Sequence, residues 1–363
     1  MSLPHLDIAV TRYDNTRGLF DGSVSFDGID VTLHSPAIPE IFAGLASGRF
    51  DVAEFGLTHY LRARDAGTDL VALPVFPARV FRHSCVFVNT SKGIDGPEDL
   101  TGRTIGEFGM YGQDSGIWAK GMLSEDHGFA PATNRWIVGG LETPLPAGFE
   151  FTTHPHPDNV EVGFAPPDRT LADMLDRGEI DALFASNAPT PYLAGSPNIA
   201  PLFPDHEARE RDWYRRTGIF PMMHTVVLRR ELLEANPGLA QRLYQGFRTA
   251  KDDAAQSYRD MRRLFQVTTM VPWMYQLFEE NRALFDEDWF PYGVDANRTA
   301  LKTFLRYSCE QGLSSAPRTV DELFAEELRQ TWALTARPRS RDEDDRAGRT
   351  LRHPACDPRQ ARP

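Results

Sequence analysis

Residues 70–89 have the sequence L-V-A-L-P-V-F-P-A-R-V-F-R-H-S-C-V-F-V-N. Leu70–Val75 and Ser84–Val88 are short apolar runs rich in β-branched and aromatic side chains, a pattern that predicts two buried strands. Between them, residues 76–83 place two arginines and a histidine among apolar neighbours. The stretch therefore predicts two core strands joined by a positively charged connection.

Similar apolar runs alternate with helical patterns over roughly the first two hundred residues. This alternation favours an α/β fold with largely parallel sheets. Further strands are predicted at Leu6–Val10, Ile29–Leu33, Phe50–Glu54, Arg103–Gly106, Arg135–Val138 and Ala182–Phe184. Helices are predicted at Pro39–Ser47, Thr58–Ala66, Ile117–Glu125 and Leu171–Arg177.

Four loops follow predicted strands and are candidates for a ligand site. Ligands of open α/β sheets bind beyond the carboxyl ends of the strands, at a cleft between lobes or sheet halves. The loops in question are Thr11–Arg17, Phe55–His59, Glu107–Ser115 and Ala185–Pro191.

The carboxyl-terminal third has a different character, because apolar residues recur there at helical spacing. Asn236-Pro237 fits a helix start with an Asn cap, and further helical patterns cover Trp273–Phe285, Ala296–Gln311 and Val320–Trp332. Residues 337–363 mix proline with charged residues and lack periodicity, so a disordered tail is predicted.

Composition excludes several classes of protein. The 363 residues, 41% hydrophobic and 25% charged, are enough for about two globular domains. A net charge of −12 argues against a nucleic-acid partner. No apolar run reaches the ~18 residues of a membrane span, and the amino terminus lacks the pattern of a signal peptide. Cys85, Cys309 and Cys356 show no paired spacing, as expected of reduced thiols in a cytoplasmic protein.

The connection within residues 70–89 is the first candidate site. Arg79, Arg82 and His83 have apolar neighbours, and a buried charge needs a partner. That partner is either the carboxylate of a ligand or an acid of the same protein, such as Glu54. The sequence alone leaves both alternatives open.

The loop after the first strand, T-R-Y-D-N-T-R-G, is a second candidate. Tyr13, Thr16 and Arg17 supply hydroxyl and guanidinium donors suited to a carboxylate, and Asp14 adds an acid. A solvated turn with a local Arg–Asp pair is the plain alternative.

A histidine and a glycine-rich turn complete the candidates. His224 precedes an apolar strand. If it lies near His83 in the cleft, the two histidines are candidates for an acid and a base; otherwise His224 is a histidine of the core. Gly106–Gly116 is a strand-to-helix turn whose amides could meet an anion, or a flexible lid. It matches no nucleotide-binding motif.

Taken together, these motifs resemble the 4,5-dihydroxyphthalate decarboxylase family. The resemblance spans roughly residues 5 to 325, and its long motifs are specific. The matching stretches are Tyr13–Arg17, Phe50–Glu54, Pro74–Asn89, Gly178–Leu183, Arg215–Val227 and Gln311–Leu313. Asn15 stands where many members have arginine, and Arg12 where they have an acid, which leaves the exact aromatic acid open.

The resemblance implies a two-lobed α/β fold like that of type II periplasmic binding proteins, with a helical carboxyl-terminal part. The implied lobes are residues 1–82 with 226–336, and residues 83–225. Solute-binding proteins and thiamine-pyrimidine-synthesis proteins have a similar fold, so the fold alone does not separate an enzyme from a binder.

The implied activity is decarboxylation of a phthalate-type acid without a cofactor, such as 4,5-dihydroxyphthalate to 3,4-dihydroxybenzoate. A hydroxyl para to the leaving carboxylate donates electrons to the ring, so that the ring carbon can be protonated and carbon dioxide can leave. This reaction needs cationic groups that bind the carboxylates, together with an acid and a base. We expect the acid/base and orienting groups to be His83, His224, Asp14 and Glu54. The expected substrate-binding residues are Tyr13, Thr16, Arg17, Arg79 and Arg82.

Several alternatives stay open at this point. No motif indicates a metal, although Glu54 and a histidine could hold a divalent ion against catechol oxygens. A non-catalytic solute-binding protein for an aromatic or pyrimidine-like acid is the main rival, and the lack of an export signal weighs against it. A thiamine-precursor enzyme ranks last, since its iron-binding cysteines have no counterpart here. The expected partner is a small aromatic carboxylate, and a homo-oligomer is compatible with the sequence.

Overall fold

Alternating strands and helices fill the computed structural model, which describes residues 5–145, 156–265, 268–314 and 318–331. The strands are β1 (His5–Ala9), β2 (Asp30–His34), β3 (Val52–Gly56), β4 (Leu70–Leu73), β5 (Val86–Asn89), β6 (Thr104–Phe108), β7 (Arg135–Gly139), β8 (Glu161–Phe164), β9 (Ala182–Phe184), β10 (Ile199–Pro201) and β11 (His224–Arg229). The helices are α1 (Arg17–Phe20), α2 (Ile38–Ser47), α3 (Leu57–Asp65), α4 (Asp114–His127), α5 (Leu171–Asp176), α6 (Thr190–Leu193), α7 (His206–Thr217), α8 (Arg230–Ala235), α9 (Leu239–Met261), α10 (Met274–Phe285) and α11 (Arg298–Glu310).

The first sheet has the order β2-β1-β3-β11-β4. β2, β1 and β3 are parallel, whereas β11 runs antiparallel to both of its neighbours. All five residues of β3 and all four of β4 are buried, as expected for strands covered on both faces. The late strand β11 is therefore held in the interior of a sheet made mostly from the first quarter of the chain.

The second sheet has the order β10-β5-β9-β6-β7-β8. β9, β6, β7 and β8 are parallel, and β5 is antiparallel to β9 and β10. The chain thus leaves the first sheet after β4 and returns to it at β11. The two-lobed α/β prediction agrees with this topology.

Two crossing segments connect the sheets and pair with each other. The amide of Val80 donates to the carbonyl of Pro221 (3.1 Å), and the amide of Met223 donates to that of Ala78 (2.9 Å). The lobe boundaries stay a prediction, but the one placed after residue 225 falls inside β11, where His224 pairs with Gly56. That pairing puts the start of β11 in the first sheet.

The carboxyl-terminal segment confirms the helical prediction with two corrections. α9, α10 and α11 match the predicted patterns, although α9 starts at Leu239 after a left-handed Gly238 rather than at Asn236-Pro237. The predicted helix Val320–Trp332 is wrong over its described part. Residues 323 and 325 instead hydrogen-bond to Ala72 beside β4, which leaves only short 3₁₀ turns on either side.

Sequence reading missed α7 and the short strands β8 and β10, none of which has a distinctive apolar pattern. The predicted tail 337–363 lies outside the described residues. Across the described ranges, no helix combines the length and apolar content needed to cross a membrane.

Candidate active site

A cavity of about 660 Å³ lies between the two sheets, a volume suited to a small organic ligand. It also borders the paired crossing segments. All four loops predicted from the strand ends contribute to its wall. They supply Tyr13, Asp14 and Asn15; His59; Phe108–Met110 and Gln113–Ser115; and Ser186 and Asn187.

His224 and Glu54 form a hydrogen-bonded pair at this cavity. His224 Nδ1 lies 2.6 Å from Glu54 Oε1. The His224 side chain lines the cavity and keeps 16% exposure, whereas Glu54 behind it has none. Tyr13 donates its hydroxyl to Glu54 Oε1 (2.8 Å), and the amide of Thr11 donates to Oε2 (2.8 Å). Because Nδ1 is engaged, Nε2 is the nitrogen that His224 can offer to a ligand.

The pair favours charge on both partners. Burial disfavours the imidazolium, but the hydrogen bond and attraction of Glu54 outweigh it and raise the pKa of His224. Burial likewise works against ionised Glu54, yet His224 and the donors from Thr11 and Tyr13 lower the pKa of this carboxyl. An imidazolium held by a carboxylate can give a proton to a ligand.

Arg82 provides a buried positive charge with only weak partners. The side chain is 4% exposed and lines the cavity. It donates to the sulfur atoms of Met223 (3.2 Å) and Cys85 (3.2 Å) and to the carbonyl of Ser186 (3.3 Å). In the described part of the chain no carboxylate forms an ion pair with it, and sulfur is a weak acceptor. The guanidinium is thus suited to a ligand carboxylate.

Arg79 also borders the cavity, but its donors are largely used within the protein. They go to the carbonyls of Phe220 (3.0 Å) and Pro291 (2.7 Å) and to Asn297 Oδ1 (2.5 Å). Burial lowers the pKa of Arg79 to about 10. Arg79 therefore connects a crossing segment to the carboxyl-terminal region. Of the two alternatives left open by the sequence, a partner within the protein is the one observed for Arg79. That partner is a set of carbonyl oxygens and not an acid.

The other residues of the first loop divide between cavity and scaffold. Asp14 lines the cavity and accepts a hydrogen bond from Tyr258. Thr16 is buried and bonds within the loop, to the amide of Tyr13 and the carbonyl of Thr11. Arg17 is exposed and does not line the cavity. Thr16 and Arg17 therefore do not fit the substrate-binding role that the sequence predicted.

The predicted meeting of His83 with His224 does not occur. His83 is buried against the rings of Phe203 (5.6 Å between centroids) and Trp213 (6.1 Å), and it lines a different cavity. Burial lowers the pKa of His83 to about 4, so the ring is neutral near pH 7. Although His83 follows Arg82 directly in the sequence, the two side chains line different cavities.

Asp114 is a cavity residue that the sequence did not single out. It is the first residue of α4, is 5% exposed, and accepts a hydrogen bond from the amide of Thr58 (2.6 Å). Burial raises the pKa of its carboxyl. The available signal was an acid at the start of a helix inside the predicted ligand loop Glu107–Ser115.

Two known decarboxylases are similar to this chain in sequence. The chain is 34% identical over 326 residues to 4,5-dihydroxyphthalate decarboxylase of Comamonas testosteroni, covering 89% of this chain and 97% of that protein. The chain belongs to the 4,5-dihydroxyphthalate decarboxylase family. A second member of this decarboxylase family, from Pseudomonas putida, is 35% identical over 217 residues, or 59% of this chain and 83% of its own. These likenesses confirm the family resemblance.

A broader family model, described as NMT1/THI5 like, matches residues 20–141 of this decarboxylase family member. Among solved structures, the periplasmic aliphatic sulphonate binding protein SsuA from Escherichia coli aligns with a TM-score of 0.51 at 14% identity. That alignment covers 91% of this chain and 100% of SsuA. It confirms the predicted fold class.

Proposed function

We propose that this protein is a carboxy-lyase for a hydroxylated aromatic dicarboxylic acid, with 4,5-dihydroxyphthalate as the first candidate and 3,4-dihydroxybenzoate as its product. The single observation behind the proposal is that one cavity presents both the weakly partnered Arg82 and the His224–Glu54 pair. The names of two relatives at 34% and 35% identity support the same substrate.

In the proposed reaction Arg82 binds the substrate and His224 donates a proton to it. Arg82 holds a carboxylate of the substrate through charged hydrogen bonds. Imidazolium His224 gives its proton to the ring carbon that bears the leaving carboxylate. Electrons pushed from the para hydroxyl make that carbon basic, and the carbon–carbon bond then breaks to release carbon dioxide. Glu54 stabilises the charge on His224 before the transfer.

We further propose that the reaction needs no cofactor or metal, because the ring hydroxyl itself supplies and takes back the electrons. The metal ligand considered from the sequence, Glu54, already accepts hydrogen bonds from three groups of the protein. The expected cytoplasmic location and a homo-oligomeric state stay predictions, to be tested by cell fractionation and by light scattering.

Release of carbon dioxide from a panel of hydroxylated benzene dicarboxylates tests the function. We expect turnover of 4,5-dihydroxyphthalate, unchanged after dialysis against EDTA. His224→Gln should lower kcat by about 10²–10⁴, the usual contribution of an acid or base. His83→Gln is the matched control and should keep near-normal turnover, because His83 lies outside the cavity.

Three outcomes would contradict these proposals. If no acid of the panel loses carbon dioxide but one raises the melting temperature, the protein is a binder. If His224→Gln is folded and as active as the unaltered protein, His224 is not the acid. Loss of turnover only after metal removal would instead overturn the cofactor-independent mechanism.

A further inference from the structure

We propose that Asp114 is a second catalytic residue, the base that takes the proton of the substrate's phenolic hydroxyl. This inference rests on the proposed decarboxylation, which requires such a base in addition to His224. With His83 outside the cavity, the base must be another group that faces the same space.

The position of Asp114 depends on the glycine at residue 56, which has no side chain. A Cβ atom on Gly56 would collide with Asp114 Oδ2, so the carboxylate occupies the space that a side chain at residue 56 would fill. Its Oδ1 is held by the amide of Thr58 at the start of α3. The Asp114 carboxylate is thus held against Gly56, the last residue of β3, and by the amide of Thr58 in α3.

The register of the first sheet brings this space next to the proposed acid. His224 on β11 lies directly opposite Gly56 on β3. Side chains of directly opposed residues point to the same face, with Cβ atoms about 4.5–5.5 Å apart. Glu54, two residues before Gly56, faces the same side. The carboxylate of Asp114 therefore stands beside His224, in the same row as the His224–Glu54 pair.

The charges around Asp114 suit a base. Burial raises the pKa of its carboxyl, while His224 on β11, the amide of Thr58 and Arg82 on the crossing segment oppose the rise. From α3, Arg62 adds positive charge and His59 lies against Gly56. A carboxylate with a raised pKa holds a proton more strongly than an exposed one, which helps it to accept a phenolic proton.

The proton and electron count closes with these two residues. Asp114 takes the proton of the para hydroxyl, and the phenolate electrons move into the ring as His224 protonates the carbon bearing the carboxylate. The carbon–carbon bond then breaks and carbon dioxide leaves. The electron pair of that bond stays with the ring and restores the aromatic phenolate. Asp114 returns its proton to the oxygen, and water reprotonates His224. The net reaction consumes one proton.

The pH dependence follows from these roles. Activity requires ionised Asp114, so kcat/KM falls as pH decreases through the pKa of this carboxyl. It also requires protonated His224, so kcat/KM falls as pH increases through the pKa of the imidazole. The profile is a bell whose acidic limb belongs to Asp114.

Asp114→Asn tests the assignment, since the amide oxygen can still accept from Thr58. We expect kcat to fall by about 10²–10⁴-fold. The acidic limb of the kcat/KM profile should disappear, while the alkaline limb is retained. Asp114→Glu restores a carboxylate and should recover part of both. Asp181→Asn is the matched control, because Asp181 also accepts a backbone amide, that of Thr104, but lies outside the cavity. A folded Asp114→Asn protein with full kcat and an intact acidic limb overturns the inference.

A binding measurement separates this inference from the proposed function. If the unaltered protein releases no carbon dioxide, the decarboxylase proposal fails, and ionisation of bound 3,4-dihydroxybenzoate then decides the role of Asp114. We expect catecholate absorbance at a lower pH for the bound than for the free compound, and loss of that shift in Asp114→Asn. Equal absorbance in both proteins rejects Asp114 as the base.

Discussion

At the scale of single residues, Glu54 determines how much positive charge His224 holds. Its hydrogen bond and charge raise the pKa of the imidazole against the effect of burial. Glu54→Gln keeps a hydrogen-bonding partner of the same shape but removes the negative charge. We therefore expect the pKa of His224 to fall, so that the alkaline limb of the kcat/KM profile moves to lower pH.

The measurement is the pH profile of carbon dioxide release for both proteins. A decrease in kcat at neutral pH should accompany the shift, because less of the enzyme then holds the imidazolium. An alkaline limb that stays in place in a folded Glu54→Gln protein would show that another group gives rise to it.

Residue roles could be predicted only in part, for a physical reason. Arg79 and Arg82 lie three positions apart in similar apolar surroundings, yet one is satisfied by carbonyls while the other has mainly sulfur partners. Most of these acceptors lie far away in the chain, about 140 or more positions for Phe220, Met223 and Pro291, although Cys85 is only three positions from Arg82. Sequence around each arginine does not contain that information.

At the scale of elements, α4 is fixed to β6 by a buried ion pair. Lys120 Nζ lies 2.6 Å from Glu107 Oε2, and neither side chain is exposed. The ammonium also lies over the rings of Tyr111 (3.8 Å) and Trp136 (4.6 Å). Lys120 belongs to the helix that begins with Asp114, so its pairing with Glu107 on β6 supports the wall of the cavity.

Lys120→Met should lower the free energy of unfolding by about 3–5 kcal/mol, because it leaves Glu107 as a buried charge without its partner. Urea denaturation measures the change. The double variant Glu107→Gln with Lys120→Met removes both charges and should recover most of the loss. Lys92→Met, at a partly exposed pair with Asp181, is the control and should cost about 0–1 kcal/mol. A loss for Lys120→Met no larger than the control contradicts this account.

Elements with strong periodicity were predictable, and those defined by tertiary pairing were not. The predicted helices α2, α3 and α5 lie within one residue of the observed bounds at each end. Residues 320–331 have helical spacing, but hydrogen bonds to Ala72 give the middle of this segment an extended course beside β4. Edge pairing of that kind overrides local spacing.

At the scale of the whole molecule, the proposed acid and base belong to different lobes. His224 lies on β11 of the first sheet, while Asp114 begins α4, which follows β6 of the second. In the structure the two lobes already meet at this point, because Asp114 accepts the amide of Thr58. We expect the ligand-free protein to open by hinge motion about the paired crossing segments, and a ligand that contacts both residues to favour the closed arrangement.

Small-angle X-ray scattering should show a smaller radius of gyration in saturating 3,4-dihydroxybenzoate than in buffer. Arg82→Ala at the same ligand concentration is the control, since weaker anchoring should reduce the change. An identical radius with and without bound ligand would indicate that the cavity is already closed.

The two-lobed architecture was predictable from the alternation of elements and from the family resemblance, whereas the exact point of return was not. His224 was expected just before its strand and instead belongs to it, paired with Gly56. That pairing depends on a partner nearly 170 positions earlier, beyond the reach of local pattern.

The interior position of β11 has a consequence for how the protein is made. The first sheet is complete only when β11 inserts between β3 and β4, which are synthesised about 150 residues earlier. Until then β3 and β4 expose unpaired edges, and such non-local pairing is slow. The nascent chain thus holds an unfinished sheet while the second lobe emerges from the ribosome. Insertion of this one strand both fills the gap between β3 and β4 and places His224 beside Glu54, so the proposed acid reaches its partner only when the first sheet is complete.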